Sequence, residues 1–360
     1  MKTEKIYQPE RAVACYFRTA AAPPNKKILL QITERCNMHC AHCFVSATCA
    51  GEEIKYEKIE REMLPALLNA SVSKVTLTGG EPLVHPDVVK IINLLSSHNI
   101  AVSICTNGGL ITDRLLDQLD RSSDIHFNVS LDGFSNNSHG RFRGILKENL
   151  FDNIISNIRK LSQRKLLNGI LVTPNIYSSI DEYIKICEFA TEIHAKYVLF
   201  NPLSEFGRGQ NTQKLGFPLK KMHELQLATQ KFNNENLEIV YIRFPNANKP
   251  LGDCVTGKIL YVFTNGDIAF CPYMVFAAKD KISKYKPESF IIGNIFEEDC
   301  NINKDLELYR LPTDARSSTC ESCEIEPYCG KGCLAAKIAQ GSLLSDCDVE
   351  LYPFAKDTGF

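Results

Sequence analysis

The sequence carries almost no charge of one sign to spare, because 41 Lys and Arg stand against 42 Asp and Glu for a formal net charge of −1. That balance gives no basic surplus for a phosphate backbone, so nucleic acid is not an expected partner. Long hydrophobic runs are missing too. Those present are strand-sized, as at residues 28–30 and 259–263, against the roughly 18 apolar residues of a membrane helix. No membrane association is expected. The N-terminal stretch MKTEKIYQPERAVACYF has no apolar segment of the kind a secretory signal needs, and a cytoplasmic location is expected. There is no internal repeat or low-complexity segment. Contents of 44% hydrophobic and 23% charged residues exclude a disordered or fibrous chain. A chain of 360 residues fits one large domain, or one domain with a satellite.

Cysteine is what the sequence has in quantity: fifteen residues. Without an export signal they read as metal ligands or reactive thiols rather than disulfides. Their surroundings have a clear order. From residue 27 to about 236, β-rich runs at 28–33, 74–78, 101–105, 125–131, 169–172 and 197–201 alternate with amphipathic helical patterns. These patterns lie at 56–68, 86–97, 112–119, 151–161 and 180–191, and a sixth at 219–232 closes the series. Consecutive βα units predict an α/β fold with a parallel sheet. Six units are too few for a closed eight-stranded barrel, which leaves a partial barrel or an open doubly wound sheet. Right-handed crossovers put the C-terminal ends of the strands on one rim.

After Pro245 the helical periodicity fades, and eight of the fifteen cysteines, Cys254 to Cys347, fall in this last third. Residues 261–263 and 268–270 flank Thr264-Asn265-Gly266-Asp267, which predicts a β-hairpin with a type I′ turn. The expected organisation is an N-terminal extension (1–26), a βα core (27–245), a loop-rich unit held by metal (246–350) and a C-terminal tail (351–360).

Cys36, Cys40 and Cys43 form C-x-x-x-C-x-x-C directly after the first strand. Three thiolates hold three irons of a cubane and leave one iron open to an exogenous molecule. A zinc site lacking a fourth partner is the plainer alternative. The loops after the other strands weigh against it. The second strand runs into Gly79-Gly80-Glu81-Pro82, whose glycines admit a close ligand and whose Glu81 offers a carboxylate to an amine. The third ends in Thr106-Asn107-Gly108, the fourth in Ser130-Leu131-Asp132-Gly133, and the sixth leads to Gly207-Arg208-Gly209. Each alone reads as a turn. Together they share the rim of the cysteine loop, where barrel active sites lie.

The cysteine loop, with the aromatic-type His42 before its last cysteine, together with Gly79-Gly80-Glu81-Pro82 resembles the radical S-adenosylmethionine (SAM) superfamily over about residues 27–244. The resemblance implies a partial (β/α)6 barrel. It also implies a 4Fe–4S cluster on Cys36, Cys40 and Cys43 whose open iron is chelated by SAM. Gly79, Gly80, Glu81 and Pro82 would then contact the SAM amino group, with Asn107 and Ser130 near the ribose or methionine. Arg143, in His139-Gly140-Arg141-Phe142-Arg143-Gly144, matches an arginine that neutralises the SAM carboxylate. Here Gly140 stands in place of the usual acidic residue.

A second pattern runs Cys254, eleven residues, Gly266, four residues, Cys271, then Cys320-x2-Cys323-x5-Cys329-x3-Cys333 and Cys347. It resembles the SPASM extension of radical SAM enzymes, which implies two auxiliary 4Fe–4S clusters. By that resemblance Cys320, Cys323, Cys329 and Cys347 close a distal cluster, while Cys254, Cys271 and Cys333 share a proximal one. Two complete cubanes need eight ligands and the pattern supplies seven. FPNANKPLGD, residues 244–253, contains no cysteine, so an open iron or a weak ligand such as Asp253 is expected at the proximal cluster. Of the other thiols, Cys187 reads as a small core hydrophobe. Cys105 and Cys49 read first as structural residues and second as catalytic hydrogen donors to a substrate radical.

The resemblance implies an enzyme that cleaves SAM reductively and crosslinks a ribosomally made peptide through a thioether or carbon–carbon bond. A flavodoxin- or ferredoxin-type reductant is implied with it. Only 26 residues precede the first strand, so peptide-leader recognition is expected from the barrel, the C-terminal unit or a separate leader-binding protein. Formylglycine formation as in sulfatase maturation, peptide epimerisation and tetrapyrrole modification are the alternatives within the family. Outside it stands an iron–sulfur electron carrier or a zinc-binding module.

Overall fold

The computed structural model describes residues 21–120, 124–144, 149–242, 259–311 and 333–344. Seven parallel strands follow one another in space as they do in sequence: β1 (Lys26–Thr33), β2 (Val72–Gly79), β3 (Ala101–Thr106), β4 (Ile125–Ser130), β5 (Leu167–Val172), β6 (Tyr197–Phe200) and β7 (Glu238–Tyr241). A doubly wound sheet needs a point where strand order reverses. None occurs from β1 to β7, so right-handed crossovers carry all the connecting helices to one face. This is the partial-barrel alternative. β7 is a seventh strand that the sequence reading, which closed its series at about residue 236, ended short of.

The six helices match the sequence patterns closely: Val88–Ser97, Leu150–Gln163, Ile180–Glu192 and Leu219–Thr229 are regular, and Asp113–Asp117 is one short turn. In the first helical segment the stretch Ile59–Met63 widens into a π-turn, with Leu64 N–H bonded to the Ile59 carbonyl. Pro65 follows in the next turn; it has no N–H to return to Arg61, which explains the local change of register.

Period-two alternation sorts the strands. Ile28, Leu30, Val75, Leu77, Val102, Ile104, Phe127, Val129, Ile170 and Val198 pack with the helices in one buried cluster. The intervening positions face the lumen, where Leu29, Thr78, Cys105, Ser130, Leu171 and Leu199 line a cavity. Below it, Tyr197 Oη and Asn168 Nδ2 both donate to Asn128 Oδ1, at 2.7 and 3.1 Å.

The sheet does not stop where the sequence composition changes. β8 (Ile259–Val262) lies parallel to β1, with Lys27 opposite Ile259 and Leu29 opposite Tyr261. β9 (Asp267–Ala269) and β10 (Ile291–Asn294) extend it antiparallel to a total of ten strands. The apolar run Ile-Leu-Tyr-Val of β8 thus covers the backbone edge that β1 would otherwise expose. The β8–β9 hairpin is as expected, but its turn is not type I′. Gly266 N–H bonds to the Phe263 carbonyl and Phe263 N–H to the Asp267 carbonyl, and within the loop only Gly266 has positive φ, +93°. This is a three-residue loop with a type I turn closed by a left-handed glycine. Short helices Pro272–Ala278, Ile302–Leu308 and Leu334–Ala339 also occupy the C-terminal third. At six or seven residues each they are too brief to show a helical period.

Truncating Phe127, fully buried between sheet and helices, to alanine is expected to cost ~3–5 kcal/mol. Leu68→Ala on an exposed helix face is expected to stay within about 0.5 kcal/mol. Urea unfolding of the two variants checks this; equal losses would contradict the assigned faces.

Candidate active site

The C-terminal ends of the strands converge on a cavity of about 190 Å³. Cys36, Cys40, Cys43, His42, Gly79, Gly80, Glu81, Cys105, Asn107, Ser130 and Arg143 all line it, so the structure brings together most of the residues singled out from sequence. Of those in the βα core two do not line it: Pro82, buried at the start of the 3-10 turn Pro82–Val84, and Cys49, which is exposed. Tyr261, Pro272 and Tyr273, from the segment after β7, form a further wall.

Each of the three loop thiols receives one N–H. Cys36 Sγ accepts from Met38 N at 3.4 Å, Cys43 Sγ from Ala47 N at 3.4 Å, and Cys40 Sγ faces Arg143 Nη1 at 3.9 Å. Burial pushes the Cys40 thiol up to about 12 against the pull of Arg143, and burial likewise raises Cys36. Among the described residues no three His, Cys, Asp or Glu side chains converge on a single ion. A cubane takes each thiolate on a different iron and receives N–H bonds on its sulfurs. The donor set therefore fits a 4Fe–4S cluster.

The loop has little regular structure of its own, and its neighbours hold it. Gly80 N–H bonds to the Thr33 carbonyl and Glu81 N–H to the Arg35 carbonyl, both at 2.9 Å. A Cβ on Gly79 would lie 2.3 Å from the Thr33 oxygen, and one on Gly80 2.3 Å from the Arg35 oxygen. These glycines thus admit the chain leading into the cysteine loop, a closer neighbour than the ligand for which the sequence suggested them. Glu81 is also engaged within the protein. Its Oε1 accepts from Leu83 N (3.1 Å) and Thr106 Oγ1 (2.7 Å), and its Oε2 from Asn107 N (2.7 Å). The carboxylate clasps the ends of β2 and β3 together and is not left free for an amine. Asn107 Nδ2 in turn reaches Asn37 Oδ1 in the cysteine loop, at 2.8 Å.

On the far side the loop meets Arg208. Its Nε donates to the Cys40 carbonyl at 2.8 Å, its Nη1 to the Ala47 carbonyl at 2.6 Å, and its own N–H to the Cys43 carbonyl at 3.0 Å. Thr212 Oγ1 adds a bond to the Ala41 carbonyl at 2.8 Å.

Asp132, with no exposed surface, organises the remaining side. Its Oδ2 accepts from Arg143 Nε at 2.6 Å and its Oδ1 from Thr173 N at 2.7 Å. Its carbonyl accepts from Asn175 and Ser178, and its N–H donates to His139 Nδ1. Burial alone would raise this carboxyl, but the Arg143 guanidinium and the surrounding donors hold it below the usual carboxylate range. Burial opposes the Arg143 charge too, and Asp132 together with the neighbouring Cys40 and Cys36 outweighs it. His42 lies 3.7 Å from Asp132 and stacks on Phe142 at 4.3 Å; burial pulls its imidazole down to about 4, leaving a neutral ring. Asp132 and Arg208 were visible in the sequence only inside turn motifs, and nothing in a turn motif shows that its charged residue will be buried.

Cys105 keeps its proton, since burial pushes its thiol up to about 11 despite the nearby Lys27. Cys187 is wholly buried in the main core, as expected. Cys271 and Cys333 precede the helices Pro272–Ala278 and Leu334–Ala339 and share one apolar cluster. Cys254, Asp253, Cys320, Cys323, Cys329 and Cys347 lie outside the described residues.

Residues 30–190 match the family profile described as the Radical SAM superfamily. The chain is 25% identical over 342 residues to the mycofactocin maturase MftC of Mycolicibacterium smegmatis, covering 89% of this chain and 81% of that protein. To the antilisterial bacteriocin subtilosin biosynthesis protein AlbA of Bacillus subtilis it is 24% identical over 314 residues, covering 84% and 66%. Streptococcus suis SuiB bound to S-adenosylmethionine shares the fold at TM-score 0.64 and 19% identity, over 89% of this chain and 77% of SuiB. A structure of SuiB bound to precursor peptide SuiA gives the same TM-score and identity.

Asp132→Asn leaves Arg143 buried without its countercharge and is expected to destabilise the cluster-free protein by ~3–5 kcal/mol at pH 7. Because the folded-state carboxyl lies below its unfolded value, its contribution is full above about pH 4 and is lost as pH falls further. The gap between wild type and variant should therefore narrow in acid, which urea unfolding across pH 3–7 measures. Arg208→Ala is expected to lower iron retained by the cysteine loop severalfold without unfolding the sheet, read by iron analysis beside circular dichroism.

Proposed function

We propose that this chain, a radical SAM enzyme through its residues 30–190, modifies a ribosomally made peptide, forming a crosslink such as a thioether or carbon–carbon bond. The observation that carries this reading is the single cavity that joins three N–H-supported cysteine thiols to Asn107, Ser130 and Arg143 on one side and to Tyr261 and Tyr273 on the other. The peptide is supported by the names of the relatives: a maturase, a bacteriocin biosynthesis protein, and a neighbour of the same fold bound to a precursor peptide.

In this reading Cys36, Cys40 and Cys43 would hold a 4Fe–4S cluster, and the backbone of the rim from Gly79 to Glu81, rather than the engaged Glu81 carboxylate, would hold SAM with His42, Asn107, Ser130 and Arg143. Cluster and SAM together supply reductive cleavage of the cosubstrate and a 5′-deoxyadenosyl radical that takes hydrogen from the substrate. The chain's own part is to orient and to exclude. Arg143, fixed through Nε by Asp132, presents the rest of its guanidinium to the cavity, as suits a carboxylate. The neutral His42 ring and its Phe142 partner close the loop side. Leu29, Leu171 and Leu199 give the lumen apolar walls, which keep water and stray hydrogen donors from a radical.

Cys271 and Cys333, in one apolar cluster beside the Tyr261–Tyr273 wall, would share a proximal auxiliary cluster with Cys254 as part of a cluster-binding unit over residues 246–350. Such clusters would accept the electron released when a new bond closes. Electrons for SAM cleavage would come from a flavodoxin- or ferredoxin-type protein. A reducing cytoplasm suits the free thiols of the described residues.

Anaerobic reconstitution with SAM, dithionite and short peptides encoded beside the gene tests this by mass spectrometry. Loss of two hydrogens from a peptide together with 5′-deoxyadenosine is expected, and Cys40→Ala should abolish both. Iron and sulfide near about twelve per chain are expected for three cubanes. Zinc in place of iron, or 5′-deoxyadenosine release that survives Cys40→Ala, would overturn the reading.

A further inference from the structure

The cavity contains a polar atom with no task in the reading above: the hydroxyl of Tyr261. This residue stands in β8 opposite Leu29 of β1 and Ala269 of β9. It is 1% exposed, packs on Phe263 at 4.7 Å between ring centres and lines the cavity. Its hydroxyl is shielded from solvent and has no hydrogen-bond partner among the described residues. A buried tyrosine hydroxyl ordinarily finds a partner, and one left dry costs ~1–3 kcal/mol. An acceptor supplied by whatever fills the cavity would remove that cost.

Tyr273, Cys43 and Glu34 all act on the phenol, and packing ties Cys43 to it: Phe44, the next residue, meets Phe276 edge-to-face, Phe276 meets Phe263, and Phe263 packs on Tyr261. Glu34 is engaged elsewhere, since its Oε1 accepts from Thr264 Oγ1 at 3.3 Å and its Oε2 from Glu52 N at 3.2 Å. Tyr273 packs its ring edge-to-face on Phe44 at 5.1 Å and against Phe206 at 5.1 Å. Cys43 is different. Its sulfur takes an N–H from Ala47, the residue lines the cavity that Tyr261 shares, and as a cluster ligand it would be a thiolate able to accept a further hydrogen bond.

We propose that Tyr261 donates a hydrogen bond to the sulfur cage at its Cys43 corner. The inference rests on the reading of Cys36, Cys40 and Cys43 as 4Fe–4S ligands. It would give the C-terminal part of the chain, through β8, a direct hold on the cluster in the barrel loop. A hydrogen bond to cluster sulfur stabilises the more negative, reduced state. Tyr261 is thus a positioning and tuning residue, distinct from the groups that bind SAM.

Tyr261→Phe keeps the ring and its packing and removes only the donor. In the cluster-free protein the variant is expected to be at least as stable as wild type, because an unpaired hydroxyl is lost. In the anaerobically reconstituted holoenzyme it is expected to retain full iron and a SAM-responsive EPR signal. At a fixed ambient potential, however, the reduced-to-oxidised ratio of that cluster should fall about tenfold, and an exchangeable-proton coupling seen by ENDOR in wild type should disappear. An unchanged ratio and coupling would overturn the proposal. So would a stability loss in the cluster-free variant, which would show a partner within the protein. A raised peptide KM with unchanged potential would give the hydroxyl to the substrate and overturn it equally. Failure of the wild type to assemble any SAM-responsive cluster would instead sink the underlying functional reading, so the two failures stay distinct.

Discussion

A carboxylate sealed from water anchors the rim on which the chemistry depends. Asp132 ties the end of β4 to Arg143 through its side chain and to Thr173, Asn175, Ser178 and His139 through both side chain and backbone. A buried charge of this kind is tolerable only when its partners are fixed, and that requirement works in both directions. It orients the guanidinium that faces Cys40, and it binds the turn at Arg143 to the ends of β4 and β5. Remove it and the cation beside the cysteine loop has no counterpart. In the same way Glu81 joins β2 to β3, and Arg208 joins the segment after β6 to three carbonyls of the loop. The cysteine loop has almost no helix or strand to stabilise it, so the charged residues of its neighbours set its shape.

The C-terminal third is coupled to this rim by backbone pairing as well as by packing. β8 extends the parallel sheet past β1, and its Tyr261 and the following Pro272 and Tyr273 form one wall of the cavity. Phe44, one residue after Cys43, meets Tyr273 and Phe276 edge-to-face. Cys271 and Cys333 belong to the same apolar cluster as Tyr261 and Tyr273.

The legibility of the molecule from its sequence was uneven for identifiable reasons. Six strands and six helices were readable because apolar residues recur at periods of two and 3.6 over stretches long enough to show it. β7 and the short helices of the C-terminal third lie outside the repeating strand–helix series whose regular spacing made the other elements readable. Gly79 and Gly80 were read as admitting a close ligand, and what the structure packs against them is the chain at Thr33 and Arg35. Glu81 was rightly placed on the rim, yet three protein donors take its carboxylate.

The sequence alone determined which atoms could do the chemistry: three thiols at fixed spacing after the first strand, and a strand–helix rhythm that puts them on one rim with the other loops. Both are local properties, carried by residue spacing and side-chain period. Only the tertiary structure decided which charged residues are buried together, that β8 completes the sheet edge, and that the Tyr261 hydroxyl ends up dry beside the cysteine loop. Those outcomes arise from contacts between residues far apart in the chain, such as Cys40 with Arg143 or Leu29 with Tyr261. Burial and its electrostatic consequences exist only once such contacts exclude water.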